Sequence, residues 1–160
     1  AFRVACEFSD RISKVAAVSA TISTEVTDNC PADARVSILF MHGTGDDVTP
    51  WAGKELYDDM GRLISVALSA PDTVNFWLEQ NGCPPDTTML DMPDANPDDE
   101  ISVRQAKFED CEDGREVVFY AVLGGTHAWE GGIFNLMPSD YAPSVSATDY
   151  VWEFFGFGKN

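Results

Sequence analysis

The chain is poor in basic residues, in histidine and in long apolar runs. Only 10 Lys and Arg stand against 27 Asp and Glu, giving a formal net charge of −17 over 160 residues. A field of that sign repels polyanions, which excludes nucleic acid and an anionic membrane surface as partners. What it does suit is a soluble, acidic surface. No apolar run approaches the roughly 18 residues of a membrane-spanning helix, so no membrane span is expected. The first residues lack the basic-then-apolar pattern of a signal peptide. No Cys-x-x-Cys pair and no Cys/His cluster at zinc spacing occurs, which argues against a metal site. Gly-x-Ser-x-Gly is absent too, so the chain holds no serine on a strand-to-helix elbow of that kind.

What is present suffices for one domain over residues 1–160. Apolar residues make up 44%, and ten Phe with four Trp supply bulk for a core. No repeat or linker divides the chain. Cys6, Cys30, Cys83 and Cys111 are far apart in sequence. Two disulfides in an exported protein, secreted or periplasmic, is the reading they favour, with the pairing open.

Val4 and Phe8, four apart, mark a helix that Ser9-Asp10-Arg11 ends; it has no N-capping residue, like the middle of a helix whose start is missing. Val15–Val18 is a short buried strand, and a polar loop runs from Thr24 to Asp33. Val36–Met41 is a stronger strand, rich in β-branched and aromatic residues. Helical spacing is expected from Ala52 to Leu68. Ser69-Ala70-Pro71-Asp72 then resembles a capping box opening a second helix, and Gly82 is placed to stop it. Residues 83–100 read as a Pro- and Asp-rich surface loop. Ile101–Phe108 is extended, Asp113-Gly114 suits a tight turn, and Val117–Leu123 is a buried strand. A helix capped by Ser146 runs from Ala147 to Phe155. Buried strands alternating with helices predict an α/β layer with a mostly parallel sheet flanked by helices.

Two strand ends carry chemistry. His127 follows Val117–Leu123 on the loop Gly124-Gly125-Thr126-His127-Ala128-Trp129, with Gly131-Gly132 beyond. Asp46 follows the Val36–Met41 strand within His42-Gly43-Thr44-Gly45-Asp46-Asp47. In a parallel sheet both ends meet at one edge, where a carboxylate can hold an imidazole's tautomer and stabilise its charged form. That is the acid and base of a nucleophilic triad. His42 reads as a structural brace for the Asp46 loop.

These segments resemble the C-terminal half of the polyhydroxybutyrate depolymerase and feruloyl esterase group of α/β-hydrolases. Residues 2–18 look like the family's segment after its serine elbow, typically "RLACELSDR…AAVAPVAG". Residues 42–50, HGTGDDVTP, resemble "HGTADPVVP", whose Asp is the triad acid. Residues 124–132, GGTHAWEGG, resemble "GGGHTWPGG", whose His is the triad base. Trp152-Glu153-Phe154-Phe155 resembles the family's closing helix. Asp47 and Glu130 stand where the family has Pro.

The resemblance implies a partial α/β-hydrolase fold whose N-terminal strands and nucleophile elbow lie before Ala1. It implies a serine carboxylesterase acting through an acyl-enzyme, with Asp46 as acid and His127 as base. No cofactor is implied, and the 160 residues alone are expected to be inactive. Trp51 and Trp129 would line the groove for an ester substrate, small or polymeric. The family also suggests the pairs Cys6–Cys30 and Cys83–Cys111. A truncated sheet is expected to self-associate as a homodimer that covers its apolar surface. Should the chain carry its own nucleophile, Ser19, Ser23 and Ser69 are the candidates.

Two rivals stand beside this reading. One is a non-catalytic module that holds a polysaccharide or a cation through Trp51, Trp129 and the acidic loop. The other is a peptidase or thioesterase on the same fold. Asp94-Ala95-Asn96-Pro97-Asp98 has the first ligand positions of a calcium loop, but Asp99 and Gln105 break the EF-hand pattern. A solvated acidic loop is the expectation there.

Overall fold

Two runs with little polar interruption, Ser37–Gly43 and Val117–Leu123, lie side by side at the centre of the fold. The computed structural model of the chain describes residues 1–94, 100–129 and 146–157. In chain order its elements are helix α1 (Phe2–Glu7), strand β1 (Lys14–Val18), helix α2 (Thr24–Thr27), strand β2 (Ser37–Gly43), strand β3 (Lys54–Tyr57), strand β4 (Leu63–Ala67), helix α3 (Ala70–Gln80), strand β5 (Leu90–Asp91), strand β6 (Ser102–Phe108), strand β7 (Val117–Leu123) and helix α4 (Ala147–Phe154).

Five strands form one sheet in the order β1-β2-β7-β6-β5. The pairings β1–β2 and β2–β7 are parallel. The pairings β6–β7 and β5–β6 are antiparallel. The expectation of a mostly parallel sheet is therefore corrected to a mixed one. The cause is local: residues 109–116 join β6 to β7, with Asp113 (φ 54) and Gly114 (φ 66) both left-handed within them. A connection of that length is too short for a parallel crossover and returns the chain antiparallel.

β2 and β7 read as continuous apolar runs because both faces of the sheet are covered. Ile38, Phe40, Val117 and Phe119 pack on one face with Phe2, Val74 and Trp77 from α1 and α3. Leu39, Met41, Val118 and Tyr120 pack on the other with Ala147 and Phe154 of α4. Alternation along each strand splits one run between two cores.

The helix expected from Ala52 to Leu68 is absent. That segment is the hairpin β3–β4, a separate antiparallel pair. Gly53 (φ 77) and Gly61 (φ 73) are left-handed, and the Asp58 carboxylate accepts from the amides of Met60 and Arg62 at 2.9 Å each. An Asp that bonds its own turn competes with helix formation. Within the expected loop of residues 83–100, Leu90–Asp91 adds a short edge strand. Within the expected loop of residues 24–33, Thr24–Thr27 forms a single helical turn.

Other local expectations hold. Ser69 caps α3, its Oγ accepting from the Asp72 amide at 3.0 Å, and Gly82 (φ 59) follows its end. Ser146 caps α4, accepting from the Asp149 amide at 3.2 Å. Cys6–Cys30 and Cys83–Cys111 are both disulfides. No helix among the described residues is long and apolar enough to cross a membrane.

Candidate active site

The C-terminal ends of β1, β2 and β7 lie along one edge of the sheet, because these three strands run parallel. Asp46 and His127 sit there on the loops after β2 and β7. His127 Nδ1 lies 2.9 Å from Asp46 Oδ2. A carboxylate only accepts, so Nδ1 carries the proton and Nε2 is the free lone pair of the neutral ring. The Asp46 side chain is fully buried, whereas the imidazole is 39% exposed. Its other oxygen, Oδ1, accepts from the amides of Val48 at 2.9 Å and Thr49 at 2.7 Å. These amides compensate the desolvated carboxylate and aim Oδ2 at the ring. The neighbouring Asp47 is exposed, so the two adjacent acids differ in environment.

The two loops approach each other closely. The amide of Gly45 donates to the carbonyl of Gly125 at 2.8 Å, and that of Thr44 to Val122 at 2.9 Å. Thr44 Oγ1 accepts from the Gly124 amide at 3.0 Å. A Cβ on Gly43 would lie 2.3 Å from the carbonyl oxygen of Gly125. Backbone that close leaves room only for glycine, which accounts for its place after His42.

His42 is buried beside Asp46. Its Nε2–H donates to the Thr49 carbonyl at 2.9 Å and lies 3.9 Å from Asp46 Oδ2. Thr49 is thereby held at both ends, its amide on Asp46 and its carbonyl on His42. Burial pushes the His42 pKa down, outweighing the Thr49 bond and the Asp46 charge that favour the protonated ring. A neutral brace is the result, as its strand-end position suggested.

The two tryptophans are placed differently from each other. Trp51 is partly buried on the α3 side, its ring centroid 6.1 Å from His42 and 5.8 Å from Phe119. Trp129 is 47% exposed, and its Nε1–H donates to Thr148 Oγ1 of α4 at 2.9 Å. The described residues show no ring contact between them. Glu130, Gly131 and Gly132, and residues 95–98 of the acidic loop, lie outside the described residues. Among the described residues no cluster of His, Cys, Asp and Glu could hold a metal ion.

Of the three serines named from sequence, Ser69 and Ser19 have their hydroxyls engaged. Ser69 caps α3. Ser23 precedes α2 without capping it by its side chain, and its backbone bridges to Ala67. Ser19 Oγ donates to the Ala128 carbonyl at 2.7 Å. Among the described residues none hydrogen-bonds His127 Nε2. Thr44, Thr49 and Thr148 escaped the sequence reading, since a single threonine in a loop or in the first turn of a helix carries no pattern of its own.

A cavity of about 390 Å³ lies elsewhere, between the sheet and α4, lined by Lys14, Glu116, Tyr120 and Tyr150 among others. Lys14 opens β1 and Glu116 precedes β7, so it faces the opposite edge from His127. Lys14 and Lys107 are paired with Glu116, and burial pushes the Tyr120 phenol up to about 12. The cavity's lysines and Glu116 are engaged with one another, whereas the strand-end pair holds an imidazole on a buried carboxylate, which makes that pair the stronger candidate. The chain matches no protein-family model and no curated protein.

Proposed function

We propose that the chain carries the acid and base of a serine-type carboxylic ester hydrolase. The nucleophile is delivered to the Nε2 side of His127 by a segment outside these 160 residues. One observation carries this reading: the 2.9 Å contact of His127 Nδ1 with a buried carboxylate whose second oxygen is already saturated. A surface ion pair needs no such burial. An imidazole held in one tautomer with Nε2 open is what general-base catalysis requires.

In this scheme the serine hydroxyl gives its proton to His127 Nε2 as its oxygen bonds to the ester carbonyl carbon. His127, now an imidazolium stabilised by Asp46, returns the proton to the departing alcohol as the C–O bond breaks. Water repeats the sequence on the acyl-enzyme, releasing the acid and the serine. The scheme needs no metal or organic cofactor. The partial α/β-hydrolase fold belongs to the same proposal, supported by the order acid then base along the chain and by the parallel strands that bring both to one edge. A secreted or periplasmic location goes with it, since both cysteine pairs are joined.

Hydrolysis of p-nitrophenyl esters is the test. The intact protein that contains this chain is expected to turn over, and His127→Ala or Asp46→Asn in it to lower kcat by about 10³–10⁴. The 160 residues alone are expected to be inactive. Ordinary turnover by them, abolished by His127→Ala, would place the nucleophile inside the chain. Glycan binding by the intact protein without hydrolysis would overturn the esterase reading.

A further inference from the structure

We infer that Ser19 is a positioning residue for His127. Its hydroxyl fixes the loop that carries the imidazole, and its backbone is bent to bring that hydroxyl there. The inference rests on the reading of His127 as base.

Ser19 follows the last residue of β1 and has φ 51, the left-handed region. Only two other non-glycine residues among those described share it, Glu100 and Asp113, and Asp113 has a turn to make. Serine has no intrinsic preference for that conformation, so the surroundings must impose it. They do so from two sides. The Ser19 amide donates to the Met41 carbonyl at 2.9 Å as a last rung of the β1–β2 ladder. Its Oγ donates to the Ala128 carbonyl at 2.7 Å.

The second bond spans the sheet. β1 and β7 are not neighbours, because β2 lies between them. Ser19 therefore reaches past the end of β2 to the residue directly after His127. The rest of the loop is held by other elements. The end of β2 holds Gly124 and Gly125, Asp46 holds the His127 ring, and α4 holds Trp129 through Thr148. Ala128 has Ser19. Without that hydroxyl the backbone on the C-terminal side of His127 loses the tie that Ser19 gives it, and the ring samples positions in which Nδ1 leaves Asp46.

Ser19→Gly isolates this effect, since glycine adopts φ 51 freely and keeps the amide bond to Met41. Two readouts in the intact protein test it. The first is solvent exchange of the His127 Nδ1–H, followed by its downfield proton resonance in ¹⁵N-histidine-labelled protein. Asp46→Asn is the reference for loss of that bond. Ser19→Gly is expected to accelerate the exchange about five- to tenfold, the factor that one hydrogen bond of ordinary net strength supplies. The second is p-nitrophenyl ester hydrolysis, in which kcat is expected to fall by a similar factor with KM unchanged. Ser19→Ala, which lacks the hydroxyl but strains the backbone, is expected to show the same kcat loss together with a lower Tm. Unchanged exchange and kcat in Ser19→Gly, while His127→Ala abolishes turnover, would overturn the role of Ser19 alone. Turnover that survives His127→Ala would overturn the base assignment itself.

Discussion

At the residue scale, His42 makes the site sensitive to acid. Its ring is fully buried, and burial holds its pKa below the ordinary value of 6.5. In the unfolded chain the same ring titrates near 6.5. Between the two values the unfolded state binds more protons than the native state, so stability rises with pH there and falls as the solution is acidified. Above the unfolded value the contribution is complete. The loss begins near pH 6.5 and continues downward to the depressed native pKa, at a slope of up to about 1.4 kcal/mol per pH unit. Melting curves from pH 7.5 to 5 are expected to show Tm falling over that window. His42→Gln, which has nothing to titrate, is expected to remove this part of the slope while starting from a lower Tm. An identical slope in the variant would mean that another group sets the acid limit. The pairing of Asp46 with His127 was legible from position, because each follows an apolar strand and sits among glycines. What was not legible is how the pair is held. Ser19, Thr49 and Thr148 act through loop carbonyls, amides and an indole N–H, and short polar residues look alike in sequence whether or not they do so.

At the scale of elements, legibility followed how local each signal is. α3 and α4 were readable because a capping serine and the residue it bonds are three positions apart. The paired strands β2 and β7 were readable from their apolar content. The β3–β4 hairpin was not. Residues 52–68 contain Lys, Glu and Leu at spacings a helix tolerates, and the decision rests with Gly53, Asp58 and Gly61. Gly53 makes this testable by the sign of one substitution. On an exposed helix, Gly→Ala stabilises by about 1 kcal/mol. In the observed fold Gly53 has φ 77, and a Cβ there would lie 2.4 Å from the Ala67 carbonyl oxygen across the hairpin. Gly53→Ala is therefore expected to destabilise by more than about 2 kcal/mol, left-handed strain and backbone clash adding together. Chemical denaturation reads the sign directly, and a stabilised variant would reinstate the helix. The sheet direction was missed for a related reason: β6 and β7 are joined by a turn whose Asp-Gly was recognised, yet its consequence is antiparallel pairing.

At the scale of the whole molecule, the Asp46–His127 pair and the Cys83–Cys111 disulfide lie at opposite edges of the sheet. Asp46 and His127 lie at the C-terminal ends of the parallel strands. Cys83 follows α3, and Cys111 stands just before the turn into β7, at the edge where β2 and β7 begin. Asn81 strengthens the same corner. Its side chain accepts from the Val36 amide at 3.1 Å and donates to the Val36 carbonyl at 2.9 Å, while its own carbonyl accepts from Glu112. The disulfide closes a loop with a sequence separation of 28. A loop of that size constrains the unfolded chain by about 3.6 kcal/mol in the entropic model. Replacing both Cys83 and Cys111 by Ser is expected to lower Tm by roughly 7–14 °C, at about 2–4 °C per kcal/mol for a domain of this size. The separation of edges adds a second, independent expectation. Because the Asn81 bonds remain, the corner stays closed in the native state, and the His127 Nδ1–H resonance is expected at its original position well below the new Tm. A lost resonance in a still-folded variant would show that the disulfide transmits order across the sheet, and an unchanged Tm would show that it contributes no stability. Packing makes the first outcome the weaker expectation, since β2 and β7 pass between two cores on their way from one edge to the other.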